Sequence, residues 1–179
     1  MKKVMQEILS TSIYLLIVLL VTYLMIHYVG QRTQVQGESM EPTLLNGDNL
    51  IVDKITYRFN EPKRFDIIVF PFKYKEDTYY IKRIIGLPGE TIQITTDGII
   101  YIDGEELKEG YGKEVILDPG NAYNPITLGD DEYFVLGDNR NNSSDSRSIS
   151  VGMIHKDSIV GRAWLRIWPF SKFGILKHQ

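Results

Sequence analysis

The sequence predicts a mainly β domain of about 150 residues preceded by one N-terminal transmembrane helix. Three observations predict it. Leu9 to Ile26 is an uncharged run made mostly of Ile, Leu, Val and Tyr. Past Gly30, the apolar residues fall into short β-branched runs bounded by Gly, Asp, Asn and Pro. No window after residue 30 carries a sustained helical period.

The N-terminal run is read first. About 18 to 20 apolar residues at 1.5 Å rise each span a bilayer's hydrocarbon core. A cleavable leader has an apolar stretch of only about 7 to 15 residues, and Val29-Gly-Gln-Arg-Thr-Gln34 offers no small-x-small pair. A buried helix of a soluble protein is the competing reading. The expectation is an uncleaved anchor over residues 8–28, with 1–7 as a cytoplasmic N-terminus and 29–179 outside. Lys2 and Lys3 precede the run and Arg32 follows it, which the positive-inside rule reads as this orientation.

Strands are expected at Asn49–Asp53, Asp66–Phe70, Tyr79–Ile85, Glu132–Leu136 and Ile159–Ile167, all rich in Val, Ile, Tyr or Phe. Thr91–Thr95 and Ile99–Ile102 flank Thr-Asp-Gly, a hairpin signal. Lys108 to Pro125 is rich in Gly, Asn and Pro and reads as a surface excursion.

Composition removes several function classes. The net charge is −3 with no polybasic block, which argues against a nucleic-acid partner. The absence of cysteine removes disulfide frameworks, Cys-ligated zinc and thiol proteases. His27, His155 and His178 sit in separate regions with no His-x-x-x-His pair, which argues against a zinc hydrolase. No cofactor and no metal are expected.

Three segments carry chemistry. In Gly37-Glu-Ser-Met-Glu-Pro-Thr-Leu44, Ser39 follows a glycine bend and Pro42 prevents a regular strand or helix. Such a bend can expose a hydroxyl and free backbone N–H groups for an oxyanion hole, although a lone Ser-x-x-Pro is most often only a turn. In Tyr79-Tyr-Ile-Lys-Arg-Ile-Ile-Gly-Leu-Pro-Gly-Glu90, Lys82 and Arg83 interrupt an apolar strand. Alternation sends them to opposite faces, so one of the two is expected to point inward. A buried ammonium loses hydration and its pKa falls, which makes a general base. The plainer reading of these charges is edge-strand protection. In Phe134-Val-Leu-Gly-Asp-Asn-Arg-Asn-Asn-Ser-Ser-Asp-Ser-Arg147, a strand runs into a dense polar loop, where Asp145 and Arg147 can pair. A solvated loop built on Asx turns competes with this reading. A calcium loop fits poorly, because the sharp-turn Gly and the closing Glu are absent.

In this order, with Gly47-Asp48 and its Ile-Val run between the first two, these segments resemble bacterial type I signal peptidases in their compact form. The resemblance spans residues 1 to about 170 and implies the signal-peptidase/LexA-like complex β fold. It implies a serine endopeptidase with a Ser-Lys dyad, cutting signal peptides from secretory preproteins after small-x-small sites such as Ala-x-Ala. By this resemblance Ser39 is the nucleophile and Lys82 the general base. Ser143 hydrogen-bonds the lysine amine, and Asp145 with Arg147 supports the Ser143 loop. The oxyanion hole uses the Ser39 N–H. Where some relatives place a serine donor, this chain has Gly37, so a backbone N–H must substitute. Val35, Met40, Leu44, Tyr80 and Ile81 match positions lining shallow substrate pockets. The substrate adds as a strand against Gln34–Ser39 and Tyr79–Lys82.

One departure stands out. Relatives reach a glycine two or three residues past the last arginine of the third segment, whereas Arg147-Ser-Ile-Ser-Val-Gly152 interposes four. The aromatic tail Trp164-Leu-Arg-Ile-Trp-Pro-Phe170 reads either as a closing strand or as a contact with membrane lipid shared with Pro42–Leu45. Two rival functions are weighed. A self-cleaving repressor would need a DNA-binding module, and this chain has an apolar helix in its place. A non-catalytic membrane-anchored assembly factor, for example for surface pili, would not need Ser39, Lys82, Ser143 and Asp145 together.

Overall fold

The computed structural model describes residues 2–24 and 30–177. The last part of the expected anchor (25–28), His27 and His178 lie outside the described residues. Helix α1, Lys2–Leu24, holds the apolar run. Its segment Lys3–Leu24 has a mean hydropathy of 2.0 and is not buried among the described residues. At 1.5 Å per residue its 23 residues extend about 34 Å, long and apolar enough to cross a membrane. It begins before the expected boundary at residue 8 and takes in Lys3 and Glu7.

The regular structure of the remainder is mostly strand. In chain order these are β1 Gly30–Gln34, β2 Asn49–Asp53, β3 Ile67–Pro71, β4 Tyr79–Gly86, β5 Thr91–Ile94 and β6 Ile100–Ile102. Then follow β7 Glu105–Glu106, β8 Ile126–Thr127, β9 Glu132–Leu136, β10 Ile154–His155, β11 Gly161–Trp168 and β12 Gly174–Ile175. One short helix, α2, covers Thr56–Phe59. The larger sheet runs β1-β2-β11-β3-β4-β9-β10, with β12 on β11, and the smaller runs β7-β6-β5-β8. The pairings are antiparallel throughout. The β-rich runs read from the sequence reappear within a residue or two at each end. Short β7, β8, β10 and β12 have too few residues to show a period.

Three apolar clusters explain why β3, β4 and β9 read as nearly continuous hydrophobic runs. Ile85, Phe134 and Leu136 of the large sheet pack with Ile92, Ile94, Ile100 and Ile102 of the small one. Ile68, Phe70, Ile84, Tyr133 and Val135 pack on the opposite side. A third cluster joins Val35, Met40, Leu44, Leu50, Ile67, Ala163 and Leu176. The central strands are thus buried on both faces, where a half-exposed sheet would show clean alternation.

The excursion 108–125 departs from its surface reading. Ile116 and Ala122 drop from it into the first cluster, and Tyr111 packs against that cluster. Apolar residues scattered among Gly and Pro carry no period, so the pattern did not reveal them as core.

Candidate active site

Past β1 the chain turns sharply. Gly37 sits at φ +91°, a left-handed conformation that glycine adopts without steric cost. Its N–H donates to Asn46 Oδ1 at 3.0 Å. The next turn closes through Glu41 N–H to Glu38 O (3.1 Å) and Leu44 N–H to Met40 O (2.9 Å). Met40 and Leu44 are buried in the core and pin this turn from below. Ser39 is left half-buried at its top. Among the described residues no acceptor meets the Ser39 N–H.

Lys82 comes from β4, sharing a face with Tyr80 and Ile84 by alternation. Its side chain is almost wholly buried, at 3% exposure. A 2.8 Å hydrogen bond joins Lys82 Nζ to Ser39 Oγ, and Nζ also donates to Ile81 O at 3.0 Å. The amine lies 5.1 Å from the Tyr80 ring centroid. Burial pulls the Lys82 pKa down from its usual 10.5, while the charges of Asp145 and Asp138 pull it back up, leaving it at about 8. A lysine so tuned is partly neutral near neutral pH, and the neutral amine can take a proton from the hydroxyl beside it.

The loop after β9 holds the Ser39 turn. Asn139 N–H donates to Ser39 O at 3.0 Å and Asn139 Nδ2 to Glu38 O at 3.1 Å. Asn142 Nδ2 reaches Glu38 Oε2 at 3.2 Å. The loop comes this close because residue 137 is glycine. A Cβ there would lie 2.2 Å from Ser143 Oγ and 2.4 Å from Ser39 O. Asp145 accepts from Gly137 N–H at 3.1 Å, and from Arg147 Nε and Nη2 at 2.8 and 2.9 Å. Asp138 and Arg83 form a fully buried two-pronged pair, Nε–Oδ1 2.9 Å and Nη2–Oδ2 2.7 Å. Arg83 also donates to Phe65 O at 2.9 Å.

An open groove of about 760 Å³ runs past Ser39 and Lys82. It is lined by residues 33–40 and by residues 75 and 77–82, with Asn142 and Ser144 also on its lining. β1 is an edge strand, and β9 pairs β4 only from Arg83 onward. Both walls therefore offer backbone groups to an added strand. Among the described residues no three His, Asp or Glu side chains gather as a metal-ligand set.

A buried lysine hydrogen-bonded to a serine in a strand-lined groove is the setting in which the comparisons with known proteins fall. The family described as "Signal peptidase, peptidase S26" matches residues 7–168. The chain belongs to this signal peptidase family. A probable signal peptidase I-2 of Synechocystis sp. is 40% identical over 154 residues, 83% of this chain and 68% of the relative. A signal peptidase I of Bacillus caldolyticus is 41% identical over 158 residues, 82% of this chain and 84% of the relative. A crystal structure of a signal peptidase I from Enterococcus faecalis is 34% identical. It covers 57% of this chain and 97% of its own, with a TM-score of 0.46. This peptidase is thus an enzyme of the signal peptidase I type, a serine peptidase with a mostly β fold.

Within this family member, Ser39, Lys82, Val35, Met40, Tyr80, Ile81 and Gly37 all border the groove. Leu44 does not. It is wholly buried in the core beneath the turn, because it follows Met40 by one helical turn and faces the same way. Ser143 lies beside the Ser39 turn, but its buried hydroxyl has no hydrogen-bond partner among the described residues. The Lys82 hydrogen bonds go to Ser39 and the Ile81 carbonyl instead. The Gly37 N–H is already taken by Asn46, so it is not a spare donor. Asp145 and Arg147 pair as expected from their spacing. The four residues before Gly152 close a turn, with Val151 N–H and Gly152 N–H both reaching Ser148 O.

Both Lys82 and Arg83 are buried, where one was expected inside. The sheet is covered on both faces, so alternation sends the two cations into two different interiors. The Arg83–Asp138 pair and the Asn139 clamp went unread in the sequence. Their signal was Arg83 itself, a charge set between Ile81 and Ile85 on one face of a strand otherwise rich in apolar residues.

Proposed function

We propose that this protein is a membrane-anchored serine endopeptidase that removes N-terminal signal peptides from translocated preproteins, cutting after small-x-small sites. Ser39 is the nucleophile and Lys82 the general base. The observation that carries the reading is the 2.8 Å contact between a hydroxyl and an amine whose pKa is lowered to about 8.

The substrate lies extended between the two groove walls, with its small side chains before the cut set against Val35, Met40, Tyr80 and Ile81. Neutral Lys82 accepts the Ser39 proton as Ser39 Oγ attacks the scissile carbonyl. The oxyanion forms opposite the Ser39 N–H, which no acceptor meets among the described residues. Protonated Lys82 then gives its proton to the leaving amine, and the peptide bond breaks to leave an acyl-Ser39 ester. Lys82, neutral again, takes a proton from water, and the resulting hydroxide equivalent attacks the ester. The signal peptide leaves as a carboxylate and Ser39 regains its proton from Lys82. Asp145, Arg147 and Ser143 act by shaping the loop that clamps Ser39.

The same reading places residues 8–28 in the membrane, residues 1–7 in the cytoplasm and the catalytic domain, 29–179, outside. The exposed, apolar α1 and the flanking lysines support it. Exposed Trp164, Trp168 and Phe170 support contact with lipid head groups. Arg166, which donates to the Thr43 carbonyl, joins that tail to the nucleophile turn.

The test is cleavage of a preprotein bearing an Ala-x-Ala site by the full chain in detergent. Wild type is expected to release the mature protein, and Ser39→Ala and Lys82→Ala to release none. If both variants cleave at the wild-type rate, the dyad assignment is wrong. If wild type binds preprotein without cutting it, the chain is an assembly factor instead.

A further inference from the structure

We propose that the segment Glu109–Lys113 is part of the catalytic framework, with Glu109 and Tyr111 as positioning residues for the Ser39–Lys82 pair. The proposal rests on the dyad reading above and adds a part that no motif of the chain announces. The sequence Glu109-Gly-Tyr-Gly-Lys113 lies inside a loop excursion, yet it touches the polar framework at five points.

Glu109 Oε1 pairs with Arg140 Nη1, and both side chains are nearly buried, at 10% and 3% exposure. Gly112 lies flat on the same guanidinium, since a Cβ there would sit 3.2 Å from Arg140 Cζ. Lys113 N–H donates to Asp138 O at 2.8 Å. Lys113 Nζ meets Glu41 Oε2 at 3.0 Å. The Tyr111 ring covers the Arg83 guanidinium, Cζ to centroid 3.6 Å, and packs against Phe65 with centroids 5.2 Å apart.

The Glu109 and Tyr111 contacts each lead to a reacting group in a few steps. Arg140 Nε donates to Gly137 O at 3.1 Å, and the Arg140 carbonyl accepts from Arg147. That ties Glu109 to the loop whose Asn139 holds the Ser39 carbonyl. Tyr111 seals Arg83, Arg83 holds Asp138, and Arg83 is the residue next to Lys82 on β4. A loop serving only to cover core would need its apolar residues. It would have no use for a nearly buried carboxylate or for a ring stacked on a buried arginine. Removing either support lets the clamp loop or β4 drift. A displacement of about 1 Å between reacting groups can cost on the order of a hundredfold in rate.

The experiment measures kcat and KM of the full chain in detergent with a fluorogenic signal-site peptide, alongside melting temperatures. Glu109→Gln and Tyr111→Leu are expected to lower kcat at least tenfold while KM stays within about twofold. Tyr111→Phe, which keeps the ring over Arg83, is expected to hold more than half the wild-type kcat. Lys108→Ala, on the same excursion, is the unaffected control. Folded Glu109→Gln and Tyr111→Leu with wild-type kcat overturn the proposal, as does a rise in KM alone. If Tyr111→Leu does not fold, the ring is structural and the proposal is equally overturned. Wild type and Ser39→Ala in the same assay keep the two readings apart. An inactive wild type or an active Ser39→Ala sinks the dyad reading, and normal behaviour of both leaves the variants to judge the segment.

Discussion

The protonation of Lys82 gives the sharpest test. Burial is the larger influence on this amine and lowers its pKa, and the Asp145 and Asp138 carboxylates oppose it, with about 8 as the result. If the neutral amine is the base, kcat/KM follows the neutral fraction of the free enzyme. That fraction is about one-tenth at pH 7 and about nine-tenths at pH 9, so kcat/KM rises about tenfold across this range. The perturbation is Asp145→Asn, which removes the larger of the two upward pulls and leaves the Arg147 cation uncompensated. Both effects favour the neutral amine, so the rising limb moves to lower pH. The assay is kcat/KM against a fluorogenic peptide between pH 6 and 10 in detergent, for wild type and variant. A wild-type profile that is flat from pH 7 to 9, or a variant limb that moves upward, would refute the reasoning.

Three further outcomes follow from the same geometry. Lys82→Met is expected to be more stable than wild type at pH 7 by about 3 kcal/mol, the pKa drop from 10.5 to about 8 in energy terms. Between those two values the unfolded chain binds more protons than the folded one, so wild-type stability rises with pH and that of Lys82→Met does not. Urea denaturation at pH 7 and pH 10 checks this, and parallel slopes count against it. Arg83→Met leaves Asp138 charged, wholly buried and unpaired, a loss of about 3 to 5 kcal/mol readable by chemical denaturation. Gly137→Ala puts a methyl 2.4 Å from the Ser39 carbonyl, which must shift. A stability loss of about 1 to 3 kcal/mol and a larger proportional loss of kcat are expected, and unchanged kinetics would show that the loop yields without disturbing Ser39.

Much of this molecule was legible because its signals are local. β-branched runs bounded by turn residues marked the longer strands, and hydropathy alone marked α1. Ser39 and Lys82 were legible for a different reason. Either segment alone has a plainer reading, a turn or edge-strand protection, and only the ordered set of segments, through its resemblance to signal peptidases, singled the two residues out. What escaped was set by pairings distant in sequence. Arg83 and Asp138 are 55 residues apart, and neither has a neighbour that announces the other. Leu44 looked like a pocket residue because it stands in the nucleophile motif, but the turn that presents Ser39 needs an apolar plug and takes Leu44 for it. The excursion around Tyr111 looked like surface because its Gly-rich composition is that of a loop, and composition does not record what a loop packs on.

The arginines complete the electrostatic account of the base. A buried lysine beside two carboxylates would ordinarily stay charged, because each anion within reach favours the ammonium. Here each carboxylate already faces an arginine of its own, Asp138 with Arg83 and Asp145 with Arg147. Each arginine offsets part of its carboxylate's field, and desolvation outweighs the upward pull that remains, so the amine can lose its proton near neutral pH. The arginines therefore govern the base at second hand, and removing one should act in the opposite sense to removing its partner. Arg147→Gln leaves Asp145 buried with only the Gly137 N–H and other neutral donors, freeing its charge to act on Lys82. The rising limb of kcat/KM is expected to move to higher pH, the reverse of Asp145→Asn. Displacements of the same sign in the two variants would mean that the pair acts on loop geometry and not on the proton.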